Sequence, residues 1–420
     1  MYPRHRLDLK PRHLAYAAAA CVWAHDPDRL EAEIERDASG ERLVCFSVRS
    51  AFELLLDALD FEPGAEILMS AITHPDMARI VERHGLVAVP VELDLETLQP
   101  RTDGLEAAIT SKTRAFLFAH LFGVRADLDA AVAFCKRHDL LLVEDCAQTL
   151  RSPSDSGDPR SDAALFSFGS IKTAPALGGG VACVRDPALH ESMRRIEARW
   201  PRQGRGEYAK RVARFAGLLM LGRPLVYEGF VRGGRRFGLD VDALVNRSVH
   251  ALKPPSGDQR DEFGEWVRRR ASAPLLALLR RRLTHFDHDR LRKRTERGER
   301  AAQALPGSVF HPGRAAPDRT HWVFPVACHD PRRAIETLRQ AGFDATAATS
   351  SIAAVEAPSD RPDLQPKDSI DFMEHVLFVP VYPELPERAF RRLLQTLSRL
   401  EDDLLREVRP LGEPGEAVRS

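Results

Sequence analysis

The sequence predicts an α/β protein: a mainly parallel central sheet flanked by helices, then a smaller α+β C-terminal domain. Three observations lead there. Short apolar runs alternate with helix-patterned segments from Leu43 to about Phe168, and such alternation builds βαβ units around a parallel sheet. Several of these runs stop at polar or small residues, such as Ser47, Glu144-Asp145 and Gly169-Ser170. In open α/β sheets, that is where ligands sit. Strand and helix patterns then resume after Pro306-Gly307, at the expected entry to the smaller domain.

Taken in order, residues 1–40 read as a basic arm and one or two helices, with Asp26-Pro27-Asp28 as turn and cap. Leu43–Phe46 is a strand, and Ser47-Val48-Arg49-Ser50 leads into a helix over AFELLLDAL. A strand, a turn of small or polar residues and a helix N-terminus make a phosphate cradle, because free N–H groups and the helix dipole point at the anion. Glu66–Met69, Val87–Leu93, Arg114–Ala119, Leu140–Val143 and Ala163–Phe168 are further strands, and Leu105–Ile109 and Asp127–His138 are helical. Gly222-Arg223-Pro224 reads as a helix break. The spacing of Leu275, Leu276, Leu278, Leu279 and Leu283 gives an apolar helix stripe with arginine flanks. In the smaller domain, His321–Val326 and Val376–Pro380 are strands, and Arg332–Ala341 and Pro386–Leu400 are helices.

At 420 residues the chain can bury a sizeable core. Its 61 basic and 61 acidic residues balance, which argues against general nucleic-acid or membrane-surface binding. The six cysteines are scattered without a CxxC pair. They read as reduced thiols of a cytoplasmic protein rather than as disulfides or a zinc site. The alanine-rich run Leu14–Ala24 reads as a first helix, and no apolar run reaches the ~18 residues of a membrane span.

The chemistry concentrates between Leu140 and Val184. Asp145 ends one strand, Ser167 ends the next, and Lys172 follows as the only lysine between Lys136 and Lys210. An acid, a hydroxyl and a lone lysine would converge on one crevice. That set suits pyridoxal 5'-phosphate. The cofactor needs a lysine for its aldehyde, a carboxylate to keep its pyridine nitrogen protonated, and donors for its phosphate. Asp145, Lys172 and Ser167 fit these roles in turn. Each residue alone also has a plain structural reading, as a strand-end acid, a helix cap or a solvent-facing lysine. Gly178-Gly179-Gly180 after the lysine permits close backbone approach but lacks the GxGxxG spacing of a nicotinamide site.

EDCAQ at Glu144–Gln148, FSFGSIK ending at Lys172 and the glycine-rich turn after it resemble the DegT/DnrJ/EryC1/StrS family of aminotransferases, from about Cys45 to Asp186 and patchily beyond. The resemblance implies fold type I, pyridoxal phosphate as cofactor, Lys172 and Asp145 as catalytic residues, and Gln148 near the cofactor's phenolic oxygen. Ser50 matches the family's phosphate turn, whereas Val48 and Arg49 depart from it; Arg49 can add a charged phosphate contact or pair elsewhere. His74 stands where the family places a ring-stacking aromatic, with N-capping before Pro75 as the alternative. His120 of the HLFG turn is expected to shape that turn, with substrate contact as the alternative. Arg268 falls where a family asparagine reaches the phosphate of the partner subunit, which makes it a candidate contact there.

The implied activity is amino transfer from an amino acid, glutamate by resemblance, to a keto sugar or nucleotide-linked keto sugar, in a cytoplasmic homodimer. A dehydratase-like enzyme or a non-catalytic cofactor-binding homologue are the alternatives. Dehydratase relatives carry histidine in place of the lysine, so Lys172 favours transamination. The expected organisation is an N-terminal arm with helices (1–40), a large cofactor-binding domain (41–200), an arginine-rich helical connection (201–300), a small C-terminal domain (301–410) and a disordered tail (411–420).

Overall fold

The computed structural model describes residues 1–23, 25–36, 41–221, 224–236, 260–306, 309–347 and 352–400. The expected break at Gly222-Arg223 and the expected tail at 411–420 lie outside these residues. The strands are β1 (Glu41–Cys45), β2 (Glu66–Ser70), β3 (Ile72–Thr73), β4 (Val87–Val91), β5 (Leu93–Asp94), β6 (Gln99–Pro100), β7 (Thr113–Ala119), β8 (Leu141–Asp145), β9 (Ala163–Ser167), β10 (Gly180–Val184), β11 (Phe324–Ala327), β12 (Thr346–Ala347), β13 (Ala353–Ala354) and β14 (Val376–Val379).

Seven of them form the central sheet, in the order β1-β10-β9-β8-β7-β2-β4. The pairs from β9 to β4 are parallel, and β10 runs antiparallel to both β9 and β1. The sequence reading saw only a glycine-rich turn where β10 begins. The strand was hidden because no helix separates it from β9, so βαβ alternation does not announce it. A second correction concerns Val87–Leu93, which splits into β4 and β5.

Both sheet faces are covered, so the strands read as continuous apolar runs rather than alternating ones. One face packs Leu43, Cys45, Val143, Leu165 and Ala182 against the helices Val48–Leu59, Pro75–Arg83 and Pro187–Glu197. On the other, Val44, Ala164, Phe166 and Val181 share a core with Leu14, Leu30, Tyr208, Phe215 and Leu275. The two N-terminal helices, Pro11–Val22 and Pro27–Glu35, thus pack with helices Arg205–Leu221 and Ala273–Thr284 on one side of the sheet. The five leucines of the predicted stripe are all buried there. Asp26 caps the second helix by accepting from the N–H groups of Asp28 and Arg29.

The C-terminal part builds a three-stranded antiparallel sheet, β11-β14-β12, with Phe324, Val326, Leu377 and Phe390 in its core. Its first strand starts at Phe324, so His321 and Trp322, expected within it, stand in the preceding loop.

Candidate active site

The strand directions bring the predicted residues to one edge. Cys45 pairs with Gly180, and Gly180 with Ser167. On the next strand, Asp145 pairs with Leu165 on one side and Ala119 on the other. Side chains alternate along a strand, so Asp145 and Ser167 share a face, and Glu144 points to the opposite one.

The two neighbouring acids meet different fates. Glu144 is fully buried but saturated. It accepts from Ser161 Oγ at 2.6 Å and from Asp158 N at 2.7 Å, and its Oε2 lies 2.9 Å from His120 Nε2. His120 Nδ1 accepts from Ala126 N at 3.2 Å, which places the proton on Nε2. Both ring nitrogens therefore hold the turn after β7. The ligand atoms of His120, Glu144 and Cys146 lie within 4.8 Å of one another. Arg125 fills that cluster instead, with Nη1 3.1 Å from Cys146 Sγ and 3.4 Å from Glu144 Oε2.

Asp145 is buried and, among the described residues, only the Ala147 N–H donates to it, at 2.9 Å. Burial raises its pKa, while that hydrogen bond and the charge of Lys172 pull it back. A carboxylate this poorly satisfied has room for a cationic N–H partner.

Lys172 sits in the loop between β9 and β10, where its N–H donates to Gly169 O at 3.1 Å. Its Nζ lies 4.1 Å from the centroid of the Trp322 ring. Burial lowers its pKa to about 8, Asp145 opposes the shift, and Arg49 adds to it. Asp145 and Arg49 thus both lie within the electrostatic reach of Lys172. Trp322 was not recognised as a site residue from the sequence. Its indole Nε1 donates to Ile171 O at 2.9 Å, a contact across about 150 positions that no local pattern carries.

The expected strand–turn–helix arrangement is present at Ser47. Ser47 N-caps helix Val48–Leu59, its Oγ accepting from Ser50 N at 3.1 Å and lying 2.9 Å from Ser50 Oγ. A Cβ on Gly180 would come within 2.5 Å of the Ser47 carbonyl carbon, so only glycine lets β10 start against this turn. Ser167 Oγ accepts from Gly169 N at 3.4 Å.

The remaining candidates are engaged as follows. Gln148 Oε1 accepts from Phe122 N at 2.7 Å, which fixes the amide orientation with its NH2 as the remaining polar group. His74 N-caps helix Pro75–Arg83 through Nδ1, 3.1 Å from Asp76 N. Arg49 Nη1 lies 2.6 Å from Asp76 Oδ2, and its guanidinium stacks 4.6 Å from the Trp266 ring centroid. Arg268 donates to Glu53 at 2.7 Å and to Asp57 at 2.9 Å within its own chain.

Residues 37–217 match the model of the DegT/DnrJ/EryC1/StrS aminotransferase family. The match covers less than half of the chain. The erythromycin biosynthesis sensory transduction protein EryC1 of Saccharopolyspora erythraea is 41% identical over 180 residues, 41% of this chain and 49% of the relative. The UDP-N-acetyl-3-dehydro-alpha-D-glucosamine 3-aminotransferase of Acidithiobacillus ferrooxidans is 33% identical over 180 residues, 42% of this chain and 49% of the relative. The chain thus spans about half the length of these curated relatives.

Whole-chain likeness is seen in the fold. The sugar aminotransferase CalS13 of Micromonospora echinospora superposes with a TM-score of 0.65 at 19% identity, covering 95% of this chain and 100% of that one. PseC of Helicobacter pylori, an aminotransferase involved in pseudoaminic acid biosynthesis, gives 0.67 at 14% identity, with 96% and 99% covered. The fold is therefore shared with these two structures over nearly the whole chain. Among the described residues, no helix is long and apolar enough to cross a membrane.

Proposed function

We propose that the protein is a pyridoxal-phosphate-dependent aminotransferase that moves an amino group from an amino acid, glutamate in the first instance, to a keto sugar or nucleotide-linked keto sugar. The carrying observation is the shared field of Lys172 and Asp145 at the carboxyl edge of the sheet. The donor set fits the cofactor: a lysine beside a sparsely bonded acid, and a glycine-backed turn at a helix N-terminus with Ser47 and Ser50.

When bound, pyridoxal phosphate supplies the electron sink that makes a proton on the substrate's amino-bearing carbon acidic. The chain's residues do the rest. Asp145 holds a carboxylate against the pyridine nitrogen and keeps that nitrogen protonated. Ser50, Ser167 and the free N–H groups of helix Val48–Leu59 hold the phosphate, and Arg49 adds positive potential. Gln148 offers its NH2 beside the phenolic oxygen, and His74 presents its ring to the pyridine. Lys172 Nζ would move the proton from the substrate's amino-bearing carbon to the cofactor carbon that receives the amino group; a pKa near 8 makes it a usable base at neutral pH. We also place the enzyme in the cytoplasm as a homodimer, with Arg268 near the partner subunit's phosphate.

Two relatives supply a second reading, because one is named a sensory transduction protein and another, of Geobacillus stearothermophilus, a pleiotropic regulatory protein. One experiment separates the readings. Purified protein is incubated with pyridoxal phosphate, reduced with borohydride and mapped by mass spectrometry, then tested with glutamate. Label on Lys172 and conversion of the cofactor to its amine form by glutamate support the enzyme. Label without conversion by any amino acid favours a non-catalytic binder, and no label sinks both. Asp145→Asn should retain the label and slow conversion by about 10- to 100-fold, the scale of one charge-assisted hydrogen bond.

A further inference from the structure

Arg294 projects from helix His288–Ala304 and is 6% exposed. Its Nε donates to Thr320 O at 2.8 Å, and its Nη1 to Thr173 Oγ1 at 3.0 Å. Thr173 follows Lys172, and Thr320 stands two positions before Trp322, so this one guanidinium straps together the two segments that frame the lysine ammonium. Its third nitrogen, Nη2, is buried and has no hydrogen-bond partner among the described residues.

The charge is unmatched as well. Among the described residues, no carboxylate lies within ion-pair distance of Arg294. The acids whose fields reach it are Asp8 and Glu384. Asp8 is held 2.9 Å from Arg282 and Glu384 2.8 Å from Arg290. Burial accordingly pulls the Arg294 pKa down to about 9. His5, on the N-terminal arm, lies within the fields of both Arg294 and Lys172; with its own pKa lowered to about 4, it adds no charge at neutral pH. A buried guanidinium without a counter-charge is costly to maintain. Here it is bonded to the residue that follows Lys172.

We infer that Arg294 anchors a carboxylate of the amino donor, received through Nη2 beside Lys172. This deepens the proposed function and rests on it. A carboxylate accepts a charge-assisted hydrogen bond from guanidinium and neutralises it. Sugar hydroxyls would satisfy the hydrogen but leave the charge, so the site fits the acid-bearing substrate rather than the sugar ring.

The test uses the full chain with Arg294→Met and Arg294→Lys. In cofactor-free wild type, succinate should raise the melting temperature and succinamide should not, and Arg294→Met should lose the succinate effect. In cofactor-loaded protein, Arg294→Met should need about tenfold more L-glutamate, or above, for half-conversion of the cofactor to its amine form. Borohydride-fixed cofactor on Lys172 should stay unchanged, and so should conversion by a nucleotide-linked amino sugar. Arg294→Lys should fall between the two, and it carries the test if the methionine variant does not fold.

The inference is overturned by equal succinate stabilisation in wild type and variant, by a glutamate requirement within about twofold of wild type, or by a loss confined to the amino sugar. If wild type fixes no cofactor at all yet shows Arg294-dependent succinate stabilisation, the aminotransferase reading falls and the carboxylate site stands.

Discussion

Lys172 Nζ lies 4.1 Å from the centroid of the Trp322 indole, and the same indole donates through Nε1 to the carbonyl of Ile171, the residue before the lysine. The ring therefore holds both the backbone beside Lys172 and its ammonium. A cation over an aromatic face gains about 0.5–2 kcal/mol in its charged form. Trp322→Leu should withdraw that support and move the Lys172 pKa below about 8, by up to ~1 unit. The pH dependence of Lys172 labelling by an amine-reactive reagent measures this. An unchanged midpoint would show that the ring does not hold the charge.

Burial of the ammonium has a signature in stability. The Lys172 pKa falls from 10.5 to about 8 in the folded chain. Between those values the unfolded state binds more protons, so stability rises with pH. Below about pH 8 the cost is present in full. Cofactor-free Lys172→Met should therefore be more stable than wild type at pH 7, with the gap closing as pH approaches 10.5. Urea denaturation across this range decides it, and a gap independent of pH would refute the electrostatic account. The same variant should fix no cofactor on borohydride treatment.

Gly180 backs the turn at Ser47-Val48. A Cβ there would stand 2.5 Å from Ser47 C and 2.7 Å from Val48 N, and both contacts are backbone. Gly180→Ala should push the helix N-terminus out of place and cost about 1–3 kcal/mol of stability, with weaker pyridoxal phosphate binding in titration. Gly204→Ala, with no atom within 4 Å of the added Cβ, is the control and should change neither.

His120→Leu addresses the turn after β7. It removes one of the partners of buried Glu144 while Ser161, Asp158 N and Arg125 remain. The expected loss is about 1–3 kcal/mol by denaturant unfolding, with cofactor fixation at Lys172 unaltered. Loss of fixation at unchanged stability would move His120 into the site.

Local sequence determined a good part of this protein. Apolar runs of strand length located β1, β2, β4, β7, β8 and β9. The polar residues that end them marked the carboxyl edge, and Asp145, Ser167 and Lys172 were readable because a strand end exposes whatever follows it. The Asp26 cap and the leucine stripe at 275–283 were also legible, since capping and helical periodicity are properties of a few consecutive residues.

The tertiary structure decided the rest. Glycine-rich sequence concealed β10, whose place between β1 and β9 depends on pairing with strands on either side. Glu144 and Asp145 are equivalent acids in sequence; strand alternation sends one into the saturated cluster around His120 and leaves the other with a single donor. Trp322 and Arg294 lie more than a hundred residues from Lys172, and Arg268 is bound to Glu53 and Asp57 more than two hundred residues away. Periodicity records which face of an element avoids water. Which distant element covers that face, and which charge is left unpaired beneath it, is settled only when the chain closes on itself.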